Sequence, residues 1–211
     1  MLAALPPDCE IRRFGVPEIA AFWPFLNADP RSVPEPGLHK PARYRFGDRI
    51  AAALTHYNMP DDILYLVYEG MAEKEMPDLD AMLATDITNW RRLDGRCDVT
   101  LADHLERRIR VERLFAAPNI PGGDLIRALA ERLLDMPVIN ALAPRADVLA
   151  ELDALMRGYV GHREELPVHP LVARHFQLAW WSPSVTYRWF GNRLGFKDHI
   201  LDYIKWTQWR P

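Results

Sequence analysis

Apolar positions along this chain recur three and four residues apart in one segment after another, the period of a helix that buries one face. Between Phe46 and Tyr57 the stripe is Ile50, Ala53, Leu54 and Tyr57. Pro60 then stands where a helix can begin, and Asp61 and Asp62 in the first turn suit the positive end of its dipole. Ile63, Leu64, Leu66, Val67 and Met71 continue that segment to about Gly70. Pro77 opens the next, with Leu79, Met82, Leu83, Ile87 and Trp90 on one face as far as Asp94-Gly95. Thr100 reads as an N-cap, with Asp103 three residues on in a capping-box-like pair, ahead of a stripe through Leu101, Leu105, Ile109 and Leu114. After Gly122-Gly123 the pattern resumes through Leu125, Ile126, Leu129 and Leu133, and again through Val148, Leu149, Leu152 and Leu155. Pro170 to Trp180 and Phe196 to Trp209 complete the set.

No segment alternates convincingly at the two-residue period of a half-buried strand. "ILYLVYE" comes nearest, and its Pro-Asp-Asp entry favours helix. The pattern predicts an all-α fold of about eight helices in antiparallel hairpins, an irregular bundle or short helical array. One stretch departs from it. Residues 27–46 hold Pro30, Pro34, Pro36 and Pro41, and predict an extended, polyproline-like arm. The expected organisation has three parts: 1–45, an N-terminal segment with this arm; 46–179, a helical body; and 180–211, a C-terminal segment.

Composition sharpens the last part. Five of seven tryptophans lie in residues 180–211, where five Lys and Arg stand against two Asp. That aromatic end therefore carries +3 in a chain of net charge −3. An acidic balance gives no general reason to bind nucleic acid. Cys9 and Cys97 are too few and too far apart for a disulfide framework and read as reduced thiols. No apolar run reaches the roughly 18 residues of a membrane span. The start, "MLAALPPDCEIRR", lacks the regions of a secretory signal. These features predict an intracellular protein, soluble or peripheral, in the cytoplasm or in an organelle matrix such as that of the mitochondrion.

Chemistry is sparse in the sequence. No phosphate-cradling glycine loop and no nucleophile elbow are present, and serine occurs only at Ser32, Ser182 and Ser184. The densest set of metal-capable residues is His162, Glu165, His169 and His175, broken by Pro167 and Pro170. Glu69 and Glu73 form an i, i+4 carboxylate pair suited to acid–base work or to a solvated helix end. "ERRIRVER", 106–113, is the strongest basic cluster, able to meet phosphate or an acidic partner, or to pair with its own glutamates.

No residue is marked as catalytic, no metal site stands out and no cofactor is implied. The expectation is a non-catalytic accessory subunit of a larger multiprotein complex, of an energy-converting or organellar kind. It would contact other protein subunits through the proline arm and through Trp180, Trp181, Tyr187, Arg188, Trp189, Trp206, Trp209 and Arg210. Tryptophan, tyrosine and arginine are the residue types enriched at protein–protein hot spots. The same aromatics would equally seal the chain's own core, and a basic aromatic helix could also rest on a membrane surface. The alternative expectation is a helical metal- or cofactor-dependent enzyme using His162, Glu165, His169 and His175, or Glu69 and Glu73.

Overall fold

A computed structural model of the chain describes residues 11–29, 31, 43–135, 144–158 and 164–206. Eight helices are found among them: α1 (Arg49–Ala53), α2 (Asp61–Lys74), α3 (Leu79–Asp94), α4 (Ala102–Arg108), α5 (Gly123–Leu134), α6 (Arg145–Gly158), α7 (Pro170–His175) and α8 (Phe196–Lys205). Several begin for reasons already visible in the sequence. The Asp78 side chain caps α3 by accepting from the Ala81 N–H at 3.0 Å. Asp61 and Asp62 fill the first turn of α2. Pro170 occupies the first turn of α7, where its missing N–H costs nothing.

The all-α expectation is overturned by three small two-stranded antiparallel sheets, which make the fold mixed α/β. β1 (Leu26–Asn27) pairs with β2 (Gly47–Asp48), Leu26 opposite Asp48. β3 (Phe115–Ala117) pairs with β4 (Ile120–Pro121). β5 (Tyr187–Trp189) pairs with β6 (Asn192–Leu194) through a tight turn in which Phe190 (φ 44°) and Gly191 (φ 83°) both adopt positive φ. Two consecutive positive φ values match the twist of the flanking strands. Strands of two or three residues are too short to show any alternation, which is why the periodicity missed them.

Three helices are shorter than their stripes implied, α1 ending at Ala53 with Tyr57 exposed beyond it. α4 ends at Arg108, leaving Val111 exposed, before the chain turns into β3. α7 ends at His175 instead of running to Trp180. There Gln177 adopts φ 52°, the Leu178 N–H reaches the Ala173 carbonyl at 3.0 Å, and the Gln177 N–H reaches that of Arg174 at 3.2 Å. This is a Schellman stop built without glycine.

The buried apolar residues form two groups. The first joins Ile19, Phe22 and Trp23 to Leu83 and Trp90 of α3, Leu105 of α4, Leu125 of α5 and Val172 and Phe176 around α7. The second joins Phe25 and Tyr44 to Ile50, Leu64 and Tyr68 of α1 and α2, and to Trp189, Ile200, Tyr203 and Ile204 near the C-terminus. Of the proline-rich stretch, residues 30 and 32–42 lie outside the described residues.

Candidate active site

The segment 22–26 passes between the two cores, and on one side of it lies a cavity of about 40 Å³. That is room for one or two water-sized groups. Trp23, Phe25, Phe46, Pro167, Phe196 and Ile200 supply apolar walls, and Asp48, His169, His199 and Tyr203 bring polar atoms to it.

His169 is placed by the fold with its tautomer fixed. It is the N-cap of α7, and its Nδ1 accepts the Leu171 N–H at 3.1 Å. With Nδ1 accepting, the proton of the neutral ring sits on Nε2. Nε2 is buried with no partner. The ring is enclosed by Phe196, Phe25 and Tyr68, at centroid distances of 4.9, 5.8 and 5.9 Å. Burial, helped by the charge of Arg174, pulls its pKa down to about 4. At neutral pH His169 is therefore an uncharged N–H donor without an acceptor.

His199 of α8 lies edge-on to Trp189 at 4.5 Å and to Tyr44 at 5.8 Å. Its Nδ1 is buried and unpartnered, and burial lowers its pKa to about 3. Asp48 closes the head of α1, accepting the N–H groups of Ile50 and Ala51 at 2.8 and 2.9 Å, and also takes the Tyr68 hydroxyl at 2.9 Å. Burial outweighs those hydrogen bonds and raises its pKa. The Tyr203 hydroxyl is buried against Gly47, where an added Cβ would lie 2.9 Å from it and 3.0 Å from the Asn27 carbonyl. Only glycine fits there.

Two charged clamps hold this corner. Arg31 grips Asp29, donates to the carbonyls of Trp206 (2.9 Å) and Tyr203 (3.3 Å), and lies over both rings. Burial pushes the Asp29 pKa up, but Arg31 pulls it further down, so the pair stays ionised. Arg43 and the Tyr44 hydroxyl both donate to Asp202, at 2.6 and 2.5 Å.

On the other side of the segment lies a larger cleft of about 440 Å³, lined by Val16, Pro17, Asp86, Asn89, Arg92 and Arg96. Leu26 borders both spaces. Asp86 is committed to structure: it accepts the N–H groups of Ala20 and Ala21 at 3.0 and 2.9 Å and so ties the segment to α3. Arg92 contacts Asn89 at 3.1 Å, and neither Arg92 nor Arg96 forms an ion pair with a described carboxylate.

The residues singled out from the sequence are dispersed. Of His162, Glu165, His169 and His175, only His169 reaches the cavity; His162 lies outside the described residues. Glu165 is held by Arg188 (3.2 Å) and Arg113 (3.4 Å), and His175 pairs with Asp80 at 3.1 Å on the surface. Glu69 and Glu73 lie on the exposed side of α2. No group of three or more metal-capable side chains occurs among the described residues. Of the C-terminal set, Tyr187 and Trp189 are buried, while Trp180, Trp181, Arg188 and Trp206 are half-buried. The Trp180 indole donates to the Ile109 carbonyl at 3.2 Å. Trp209 and Arg210 lie outside the described residues, and no helix among those described is long and apolar enough to cross a membrane.

Asp48, Tyr68, His199 and Tyr203 escaped the sequence reading. Only Asp48 left a trace, as an acidic residue at the head of an apolar stripe.

Comparison with known proteins supplies the remaining evidence. No curated protein matches the chain. One solved structure shares its fold with a TM-score of 0.59 at 16% identity, over 93% of this chain and 61% of that one. That protein is WcbI, described as a novel polysaccharide biosynthesis enzyme, in its native form without a disulfide bond between coenzyme A and one of its cysteines. The chain thus spans about three fifths of that protein's length. The family model described as "Polysaccharide biosynthesis enzyme WcbI" matches residues 1–141. This match overturns the expectation of a non-catalytic accessory subunit and favours the enzyme alternative, though the described residues hold no metal cluster of the kind it invoked. With two thirds of its length matched, the chain belongs to the WcbI family of polysaccharide biosynthesis enzymes.

Proposed function

We propose that this chain catalyses a group transfer in polysaccharide biosynthesis, at the cavity around His169, with a saccharide as acceptor and a coenzyme A thioester as donor. The observation that carries the reading is the orphaned His169 Nε2–H, a neutral donor on a ring held by its own helix cap and lining the cavity. Such a donor suits a carbonyl oxygen on which negative charge develops, because it is aimed in advance and shielded from water.

The residues present fit coenzyme A in kind. Arg92 and Arg96, unpaired with any described carboxylate, offer cations for its phosphates in a cleft of ligand-sized volume, and Leu26 borders both that cleft and the His169 cavity. Bound as its acyl thioester, coenzyme A would supply an activated acyl group, which passes to a saccharide hydroxyl as the C–S bond breaks and the free thiol leaves with the hydroxyl proton. The chain's own groups do the rest. Trp23, Phe25 and Phe196 supply apolar walls to the cavity. His169 donates from Nε2 to the reacting carbonyl oxygen, and Asp86 keeps the dividing segment in place through Ala20 and Ala21.

The decisive variant is His169→Asn. Asparagine preserves the cap on α7 but cannot extend a donor to where Nε2 lies. In a strain lacking the gene, the wild-type gene should restore the composition of the cell's polysaccharide. His169→Asn, accumulating to the same level with the same thermal midpoint, should not. Full restoration by His169→Asn overturns the reading.

A further inference from the structure

Acyl transfer asks two things of the cavity: a donor for the thioester carbonyl oxygen and an acceptor for the attacking hydroxyl. His169 supplies only the first. Its Nδ1 already accepts the Leu171 N–H, and the Nε2 of its neutral ring can only donate. The other side chains of the cavity able to accept are those of Asp48, His199 and Tyr203.

Asp48 is committed: its Oδ1 takes the N–H groups of Ile50 and Ala51, and its Oδ2 takes the Tyr68 hydroxyl. Tyr203 offers a phenol oxygen, a weaker acceptor than an imidazole nitrogen because its lone pair is shared with the ring. His199 remains. Its Nδ1 is buried without a hydrogen-bond partner, on a ring held edge-on by Trp189 at 4.5 Å and Tyr44 at 5.8 Å. It stands on α8 between Phe196 and Ile200, which line the same cavity, whereas His169 comes from the head of α7. Two histidines from two elements thus border one space. At about 40 Å³ that space has room for a carbonyl oxygen and a hydroxyl, and none for a sugar ring.

Given the acyl-transfer reading, on which this depends, we infer that His199 is the acceptor-binding residue of the site: its Nδ1 takes a hydrogen bond from the saccharide's reacting hydroxyl and holds that oxygen against the thioester carbonyl carbon. The hydroxyl oxygen forms the new C–O bond, the C–S bond breaks, and the hydroxyl proton ends on the departing thiol. His199 orients the hydroxyl without keeping its proton, since burial holds its pKa at about 3.

Initial rates test this in the full chain, with acetyl coenzyme A as donor and, as acceptor, polysaccharide purified from a strain lacking the gene. His199→Phe keeps a ring against Trp189 and Tyr44 but removes the nitrogen. It should raise the KM for the polysaccharide about tenfold or more and leave the KM for acetyl coenzyme A unchanged. His199→Asn, whose Oδ1 can stand where Nδ1 stood, should recover most of that loss. If His199→Phe lowers the thermal midpoint, His199→Met, of similar volume, is read in the same way. An unchanged KM for the polysaccharide in a folded variant, or an equal rise for both substrates, overturns the inference. Transfer that survives His199→Phe but is lost in His169→Asn overturns it alone, whereas absence of transfer by the wild type overturns the acyl-transfer reading with it.

Discussion

The two cores of this molecule are built from similar apolar residues but differ in how they treat polar atoms. In the first, Asp86 is fully buried, yet it meets two backbone N–H groups and serves as a strut. Trp90 is likewise satisfied, its indole donating to the Glu18 carbonyl at 2.6 Å. The second core and its seam with the first hold the buried His169 and His199 and the hydroxyls of Tyr68 and Tyr203, and three of these four side chains keep an unpartnered atom. Buried polar groups are normally paired, and the exceptions call for an explanation. The contrast is one of degree: Trp181, packed against the first core, also keeps its indole N–H unpartnered, but the buried histidines of the proposed site lie in the second core and its seam.

The largest test of this contrast is a truncation in the first core. Trp90→Ala removes a 2% exposed indole from α3 and should cost about 3–5 kcal/mol in urea unfolding, without selective loss of any single function. A cost below about 1 kcal/mol would show that the first core is not the principal support. In the second core, Tyr68→Phe strips one donor from Asp48 while leaving its two backbone partners. The expected cost is about 1–3 kcal/mol by the same measurement. An unchanged midpoint would mean that water replaces the hydroxyl at no cost.

Acid gives the smallest effect per step, one pH unit at a time. His169 and His199 are neutral in the fold, with pKa values of about 4 and about 3, and the unfolded chain protonates them near pH 6.5. Below pH 6.5 the unfolded state thus binds more protons. Stability is full above that value and should fall by about 1.4 kcal/mol per pH unit for each histidine down to about pH 4. Urea midpoints across pH 4–7 should show this slope, and His199→Phe should make it shallower. A slope identical in the variant would place the acid sensitivity elsewhere.

The helices were the legible part of the fold, because a long amphipathic stripe records its own period. α2, α3, α5 and α8 begin where the prolines, acidic residues, glycines and apolar spacing placed them. The stops at Arg108 and His175 were not legible. The second depends on Gln177 in a left-handed conformation that its side chain does not announce. Sheet content was hidden because β1 and β2 pair two-residue segments that the sequence separates by the proline-rich stretch.

The candidate site follows the same division. Sequence alone determined that Pro170 could head a helix, that the chain's tryptophans gather toward its end, and that 106–113 carries surplus positive charge. Only the tertiary structure decided that His169 faces a cavity while His175 faces solvent. It alone turned Trp189 inward. Local order is written in neighbouring residues because backbone hydrogen bonds and helix caps reach only four positions. Burial, and with it the charge state of His169 and His199, depends on which distant segments exclude water, and that is settled only when the two cores close around segment 22–26.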